Sequence, residues 1–552
     1  MQILALLALL VVVLIGTQAP AGQSPTRDPC SWSRDLRLVN GRVHTMDRRY
    51  SIVDEVTIQQ GRFAAVGRDR NLRLNPCTRT IDLGGRTVVP GLVDNHNHIV
   101  LLGMRPGHDV RLDWSFSISD LQATIRARAQ NVPAGEFITA MGGWNQSQFA
   151  EKRWPTIAEL DAAAPNHPVI LYQGFNGPAV TSTRGKTFFE SKGVAVNAGG
   201  EIAANAPSIA ALNALRSIQT FADQRRGTLD AMAYVASIGL TTNVDMGFNI
   251  IPGTPDLKGS QVADGLASLN PWTAYDAFLA LHRESRLTTR LRLFLYTQDT
   301  TSDTPILKER LLNQFAGFGD DMLRVSGIGE QAVGWNGAAT PPAVFAAALT
   351  LIAQHRWAFQ QHSLSLAEDQ FIATAFENIN AATPIAELRW SAAHVPRIDQ
   401  ATVNRFKAVG AGIAAHPGSR YLGTPGGGPP FRMILDSGVR MGVGSDAGQV
   451  TAMNPWAMIS YMVTGRNAGG ELVNPGQQIT REEALRLYTV ENGWFFHEED
   501  KLGSIEAGKL GDLVVLSGDY FEPQRVPDAS IRLIKSVLTV VDGRVVHNTL
   551  QN

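Results

Sequence analysis

Two histidines one residue apart, His96 and His98, close a run that begins Leu92-Val93. Strand side chains alternate faces, so residues two apart point the same way. Both imidazoles can therefore reach one metal ion while Asn97 points elsewhere. His362, His394 and Asp446 each end a later apolar run, which brings two more imidazoles and a carboxylate to the same kind of position. A catalytic metal needs protein ligands and an open position for water, whose pKa it lowers. A carboxylate such as Asp446 can take that water's proton and hand it to a leaving nitrogen. His416 ends another such run and is read as a substrate contact.

Eight short apolar runs end in polar or ionisable residues, near 92–98, 239–245, 291–296, 323–330, 357–362, 390–394, 412–416 and 439–446. Helical stretches such as Ala343 to His355 and Gln400 to Val409 separate the later ones. This rhythm predicts an α/β fold, a TIM-type (β/α)8 barrel over 90–501 whose chemistry collects at the carboxyl ends of its strands. A segment at about 110–230 is too long for one βα connection and is read as an inserted subdomain. Within it, Trp144 and Asn145 are candidates for lining a substrate cavity. Residues 36–89 and 502–548 instead alternate apolar and polar, with Asn40-Gly41, Gln60-Gly61 and Asp542-Gly543 at the turns. They predict one small β-sandwich assembled from both ends of the chain.

The 552 residues are 44% hydrophobic and carry a formal net charge of -1, without long charged blocks. Nothing asks for nucleic acid or an anionic membrane surface, and a small, roughly neutral substrate is compatible. The unbroken apolar run Ile3 to Ile15, followed by small residues to Ala21, reads as a signal peptide over 1–21. The expectation is export to a periplasmic or extracellular space, with no membrane span after cleavage. Cys30 and Cys77 lack C-x-x-C spacing, and in an oxidising compartment they form a candidate disulfide. The glycines near Gly426 lack the lysine and serine of a phosphate loop, and no Gly-x-Ser-x-Gly elbow is present. Oligomeric state is left open, a homo-oligomer included.

The stretch Val88-Val89-Pro90-Gly91-Leu92-Val93-Asp94-Asn95-His96-Asn97-His98 resembles the first-strand motif of the amidohydrolase superfamily, in its YtcJ-like branch. Gly142-Gly143-Trp144-Asn145, Gly444-Ser445-Asp446 and Gly503 to Val514 resemble its later motifs. The resemblance implies hydrolysis of an amide or cyclic amide C–N bond. It places His96 and His98 on the more buried metal, Asp446 beside them as ligand and proton shuttle, and His362 and His394 on a second metal. In one-metal members His362 and His394 would instead bind that metal and polarise the substrate. Many relatives carry a carbamylated lysine on the fourth strand; here Val325 to Glu330 has none, and Glu330 is the candidate replacement. The cofactor expectation is one or two divalent ions, zinc first among them. The missing lysine also supports alternatives: a mononuclear deaminase, a non-hydrolytic lyase or isomerase, or a barrel that binds without turnover.

Overall fold

The computed structural model describes residues 30–250, 265–270, 273–334 and 341–550; the apolar run and its cleavage site lie outside the described residues. Eight parallel strands hydrogen-bond in chain order: β1 (Leu92–Asn97), β2 (Leu240–Asp245), β3 (Arg290–Leu295), β4 (Leu323–Glu330), β5 (Ala358–Ser363), β6 (Ser391–His394), β7 (Gly412–Ala415) and β8 (Arg440–Val443). They fall on the eight apolar runs. Most are buried along their whole length, because helices cover the outer face and side chains fill the interior. The helices start where the sequence supplies caps. Leu366–Ala382 opens with a Ser365–Glu368 capping box, and the side chain of Asp399 caps Gln400–Ala408. Their apolar faces pack onto the strands, as Phe376 and Phe406 do around Trp390.

β1 and β8 are the two ends of this sheet, and side chains help to close it. Asn492 donates through Nδ2 to the Val93 carbonyl (2.6 Å) and the Val443 carbonyl (2.8 Å), and accepts from the Val443 amide (3.0 Å). Nearer the mouth, the Asp446 amide donates to the His96 carbonyl and the His98 amide to the Ala447 carbonyl, both at 2.8 Å. Asp94 accepts from the Ser445 amide (3.0 Å) and hydroxyl (2.6 Å). Gly444 permits this approach: a Cβ there would lie 2.6 Å from the Cβ of His96.

The chain's two ends build a sandwich of a four-stranded and a six-stranded sheet, the latter pairing Thr87–Pro90 with Leu513–Leu516. Leu38, Val56, Phe63, Leu513 and Val540 share its core. Gln60-Gly61 and Asp542-Gly543 are tight turns with positive φ at both residues, whereas Asn40-Gly41 passes the chain from one sheet to the other. Arg290 on β3 forks onto Asp512 of this domain at 2.7 and 2.8 Å, fixing sandwich to barrel. The Cys30 and Cys77 sulfurs are bonded, closing a span of 47 residues.

The insertion is a five-stranded sheet running from His108–Asp109 to Glu201–Ile202, with its own helices and core. Its boundary differs from the expected 110–230. The sheet begins at His108, and helix Phe221–Ser237 lies on the barrel, where Thr228 touches Gly103. Among the described residues no helix is long and apolar enough to cross a membrane.

Replacing Asn492 with Ala strips three buried backbone groups of their partner. We expect a loss of about 2–4 kcal/mol, read as a lower urea midpoint by far-UV circular dichroism. An unchanged midpoint would show that the seam does not depend on this side chain.

Candidate metal centre

At the carboxyl ends of the strands the expected ligands converge. His96 Nε2 lies 3.3 Å from Glu330 Oε2 and 3.8 Å from Asp446 Oδ1. His98 Nε2 lies 3.6 Å from Glu330 Oε1 and 3.4 Å from Asp446 Oδ1. Both nitrogens are buried without a hydrogen-bond partner. Donors about 2.1 Å from one tetrahedral zinc ion stand about 3.4 Å apart, so these separations fit a shared metal. Beside them, Glu330 Oε2 lies 2.8 Å from His362 Nδ1 and 3.1 Å from His394 Nε2. Glu330 therefore belongs to two donor groups at once, which suits an O–C–O bridge. His96–His98–Asp446 and Glu330–His362–His394 are each compact enough to hold an ion.

The ligands are aimed by neighbours. Gln360 Oε1 is hydrogen-bonded to His96 Nδ1, which turns Nε2 toward the carboxylates. His98 Nδ1 donates to the Gly247 carbonyl at 2.8 Å. Asp245 holds that turn by accepting from the Gly247 amide (3.0 Å), and caps the helix after β1 by accepting from the Val100 amide (2.9 Å). It therefore serves both roles open to it, orienting a ligand histidine and capping a helix. His394 and Asp446 have φ of 68° and 55°, left-handed backbone that non-glycine residues adopt at some cost.

The charges are coupled. Burial pushes the Glu330 and Asp446 carboxyls up, but the surrounding histidines outweigh it and hold both below the ordinary range, Glu330 far below. Burial opposes a charge on His98, yet Asp446 and Glu330 raise its pKa to about 9, and Glu330 likewise raises His362. Burial and the charge of His362 lower His394 to about 4. The two carboxylates thus favour positive charge on His98 and His362, as they would favour a cation between them.

Two expectations need correction. Trp144 is buried in the insertion's core, its Nε1 bonded to the Ala140 carbonyl (3.2 Å) and its ring beside Phe149 and Trp154. Asn145 caps a short helical turn, accepting from the Ser147 amide at 2.9 Å. Trp144 packs and Asn145 caps, while Gly142-Gly143 before them lies against Gln449 and Thr451 of the loop after β8. His416, read as a substrate contact, is as buried as His96 and His98 and lies 2.9 Å, Nδ1 to Nδ1, from His394; with His96 and His394 it makes a third compact donor group. With His394 Nε2 directed at Glu330, the Nδ1 proton of His394 goes to His416. Sequence reasoning passed over Gln360, although it precedes His362 by two residues on β5 and shares its face.

The fold and site define a barrel hydrolase of the metal-dependent class. The Amidohydrolase family model matches residues 79–547, and the chain belongs to that family. It is 24% identical over 563 residues to the N-substituted formamide deformylase of Arthrobacter pascens, covering 92% of this chain and 98% of that one. Among solved structures, an uncharacterized metal-dependent hydrolase from Pyrococcus furiosus superposes with a TM-score of 0.56 at 19% identity, covering 88% and 100%. The zinc complex of an atrazine chlorohydrolase from Arthrobacter aurescens reaches 0.50 at 15% identity, covering 94% and 97%.

Gln360→Ala should raise the metal dissociation constant about 10–100-fold in chelator competition. Unchanged affinity would remove its orienting role. Metal loading at neutral pH should release protons, because His98 holds one below a pKa of about 9 and must lose it to ligate. Affinity therefore rises with pH up to that value, and calorimetry in buffers of different ionisation enthalpy measures the release.

Proposed function

We propose that this protein is an exported binuclear metal hydrolase, with zinc the leading metal, that cleaves the amide or cyclic amide C–N bond of a small molecule. The observation carrying this reading is Glu330, whose two oxygens reach both donor groups where many relatives use a modified lysine. The atrazine chlorohydrolase structure holds zinc, and the full-length relative is a formamide deformylase; both support the choice of metal and bond. Export is supported by the apolar run at 3–15 and by a disulfide, a bond that persists in oxidising compartments.

A divalent metal bound here supplies Lewis acidity, polarising a carbonyl and acidifying a water. The chain's residues do the rest. Asp446 divides its oxygens: Oδ1 faces His96 and His98, while Oδ2 lies 3.6 Å from His394 Nδ1. Its carboxylate, kept ionised by these histidines, takes a proton from the attacking water and returns it to the departing nitrogen. The C–O bond forms, the C–N bond breaks, and the amine leaves neutral. His394 Nε2 faces Glu330, so His394 would hold the second metal with Glu330 and His362, its other ring nitrogen kept in place by His416.

Wild type should contain two metals by elemental mass spectrometry, and Glu330→Ala one or fewer. One metal in both would move the reading to a mononuclear centre. On a panel of N-substituted formamides and cyclic amides, Asp446→Asn should lose about 10²–10⁴-fold in turnover while retaining metal. Full activity in that variant would exclude the proton shuttle, and ammonia release from an aminated heterocycle in place of amide cleavage would replace hydrolysis by deamination.

A further inference from the structure

The loops that follow β6 and β7 carry more than histidines. Arg397 comes three residues after His394, and Arg420 four after His416. They meet over the glycine-rich loop: a Cβ built on Gly426 would lie 3.9 Å from Arg397 Nη2 and 4.0 Å from Arg420 Cζ. Arg420 donates to the Pro425 carbonyl at 2.7 Å, which anchors it beside that loop. Neither guanidinium forms an ion pair with a carboxylate among the described residues. Burial, and then the charge of Arg397, lowers the pKa of Arg420, as expected of two cations held close without a counter-ion.

Two more unpaired cations extend the patch. Lys152 donates to the Ser147 carbonyl and reaches Gly469, and Arg466 donates to the Gly470 carbonyl at 2.8 Å. Hydrogen bonds from Ser147 Oγ to the Leu422 carbonyl and from the Ala468 amide to the Tyr421 carbonyl, both 2.7 Å, join these segments to the β7 loop. The whole chain is nearly neutral, so the local excess of positive charge is a feature of this face.

We infer that Arg397 and Arg420 select an anionic substrate, a small amide that carries a carboxylate or comparable anion away from the bond to be cleaved. The inference rests on the proposed hydrolase only for where the substrate enters. Two guanidiniums sharing one side of the mouth offer paired donors to a planar carboxylate, and their field raises the local concentration of anions. A neutral amide of the same shape forfeits both effects.

The test compares binding of N-benzoylglycine with that of its neutral amide, N-benzoylglycinamide, to the metal-loaded protein by calorimetry. In wild type the anion should bind about tenfold or more tightly than the neutral compound, a preference that weakens with salt. In the Arg397→Gln/Arg420→Gln double variant the ratio should fall below about twofold, while Arg397→Lys, which keeps the charge but loses the planar fork, falls between the two. Equal affinities in wild type would overturn the inference. So would a preference that survives the double variant, since the anion would then be held at the metal centre. If the preference follows the arginines while no member of the formamide and cyclic amide panel is cleaved, the amide hydrolase reading fails and the anion site stands.

Discussion

Glu330 and Asp446 lie within reach of the same two histidine nitrogens, nearly sealed from water, and two carboxylates so placed require positive charge between them. A proton on His98, whose pKa they raise to about 9, answers part of that requirement. A divalent ion meets it better, because it also satisfies the buried Nε2 atoms of His96 and His98, which have no protein partner. The support around the centre follows from the same need. A histidine that ligates through one nitrogen must place its other proton, and Gln360, the Gly247 carbonyl and His416 each stand where such a proton goes.

The barrel makes this arrangement affordable. Ligands drawn from β1, β4, β5, β6 and the turn after β8 converge only if the sheet closes, and the closing seam runs between the strands that carry His96 and Asp446. Asn492, Asp94 and Ser445 hold that seam, and backbone bonds from Asp446 to His96 and from His98 to Ala447 set the register of the two histidines against Asp446. The left-handed backbone at His394 and Asp446 belongs to the same economy: neighbours over-determine a conformation that the residues alone would not choose.

Much of this was legible in the sequence because period-two alternation and strand-end position are local properties. The pair His96 and His98, the later histidines and the eight strand runs needed no knowledge of distant partners. Gln360 was legible by the same rule and was missed because an amide is less conspicuous than an imidazole. Asn492 was not legible, since its partners are backbone atoms 399 and 49 residues away and depend on closure. Trp144 and Asn145 misled for a related reason. Their position in a family motif says that the turn matters, but only the insertion's own core shows that they are spent on packing and capping.

Charge illustrates the limit of composition most directly. A net charge of -1 suggested that a neutral substrate would do, and as an average it is correct. An enzyme's substrate meets a face and not an average, and this face gathers Arg397, Arg420, Lys152 and Arg466 from segments far apart in the chain. Some arginines are matched to carboxylates, as Arg290 is to Asp512 and Arg405 to Glu377; Arg397 and Arg420 instead meet each other over the glycine-rich loop. The inferred anion site would give these two arginines a task separate from that of the buried donors: the proposed cleavage would belong to the centre and the choice of substrate to the rim.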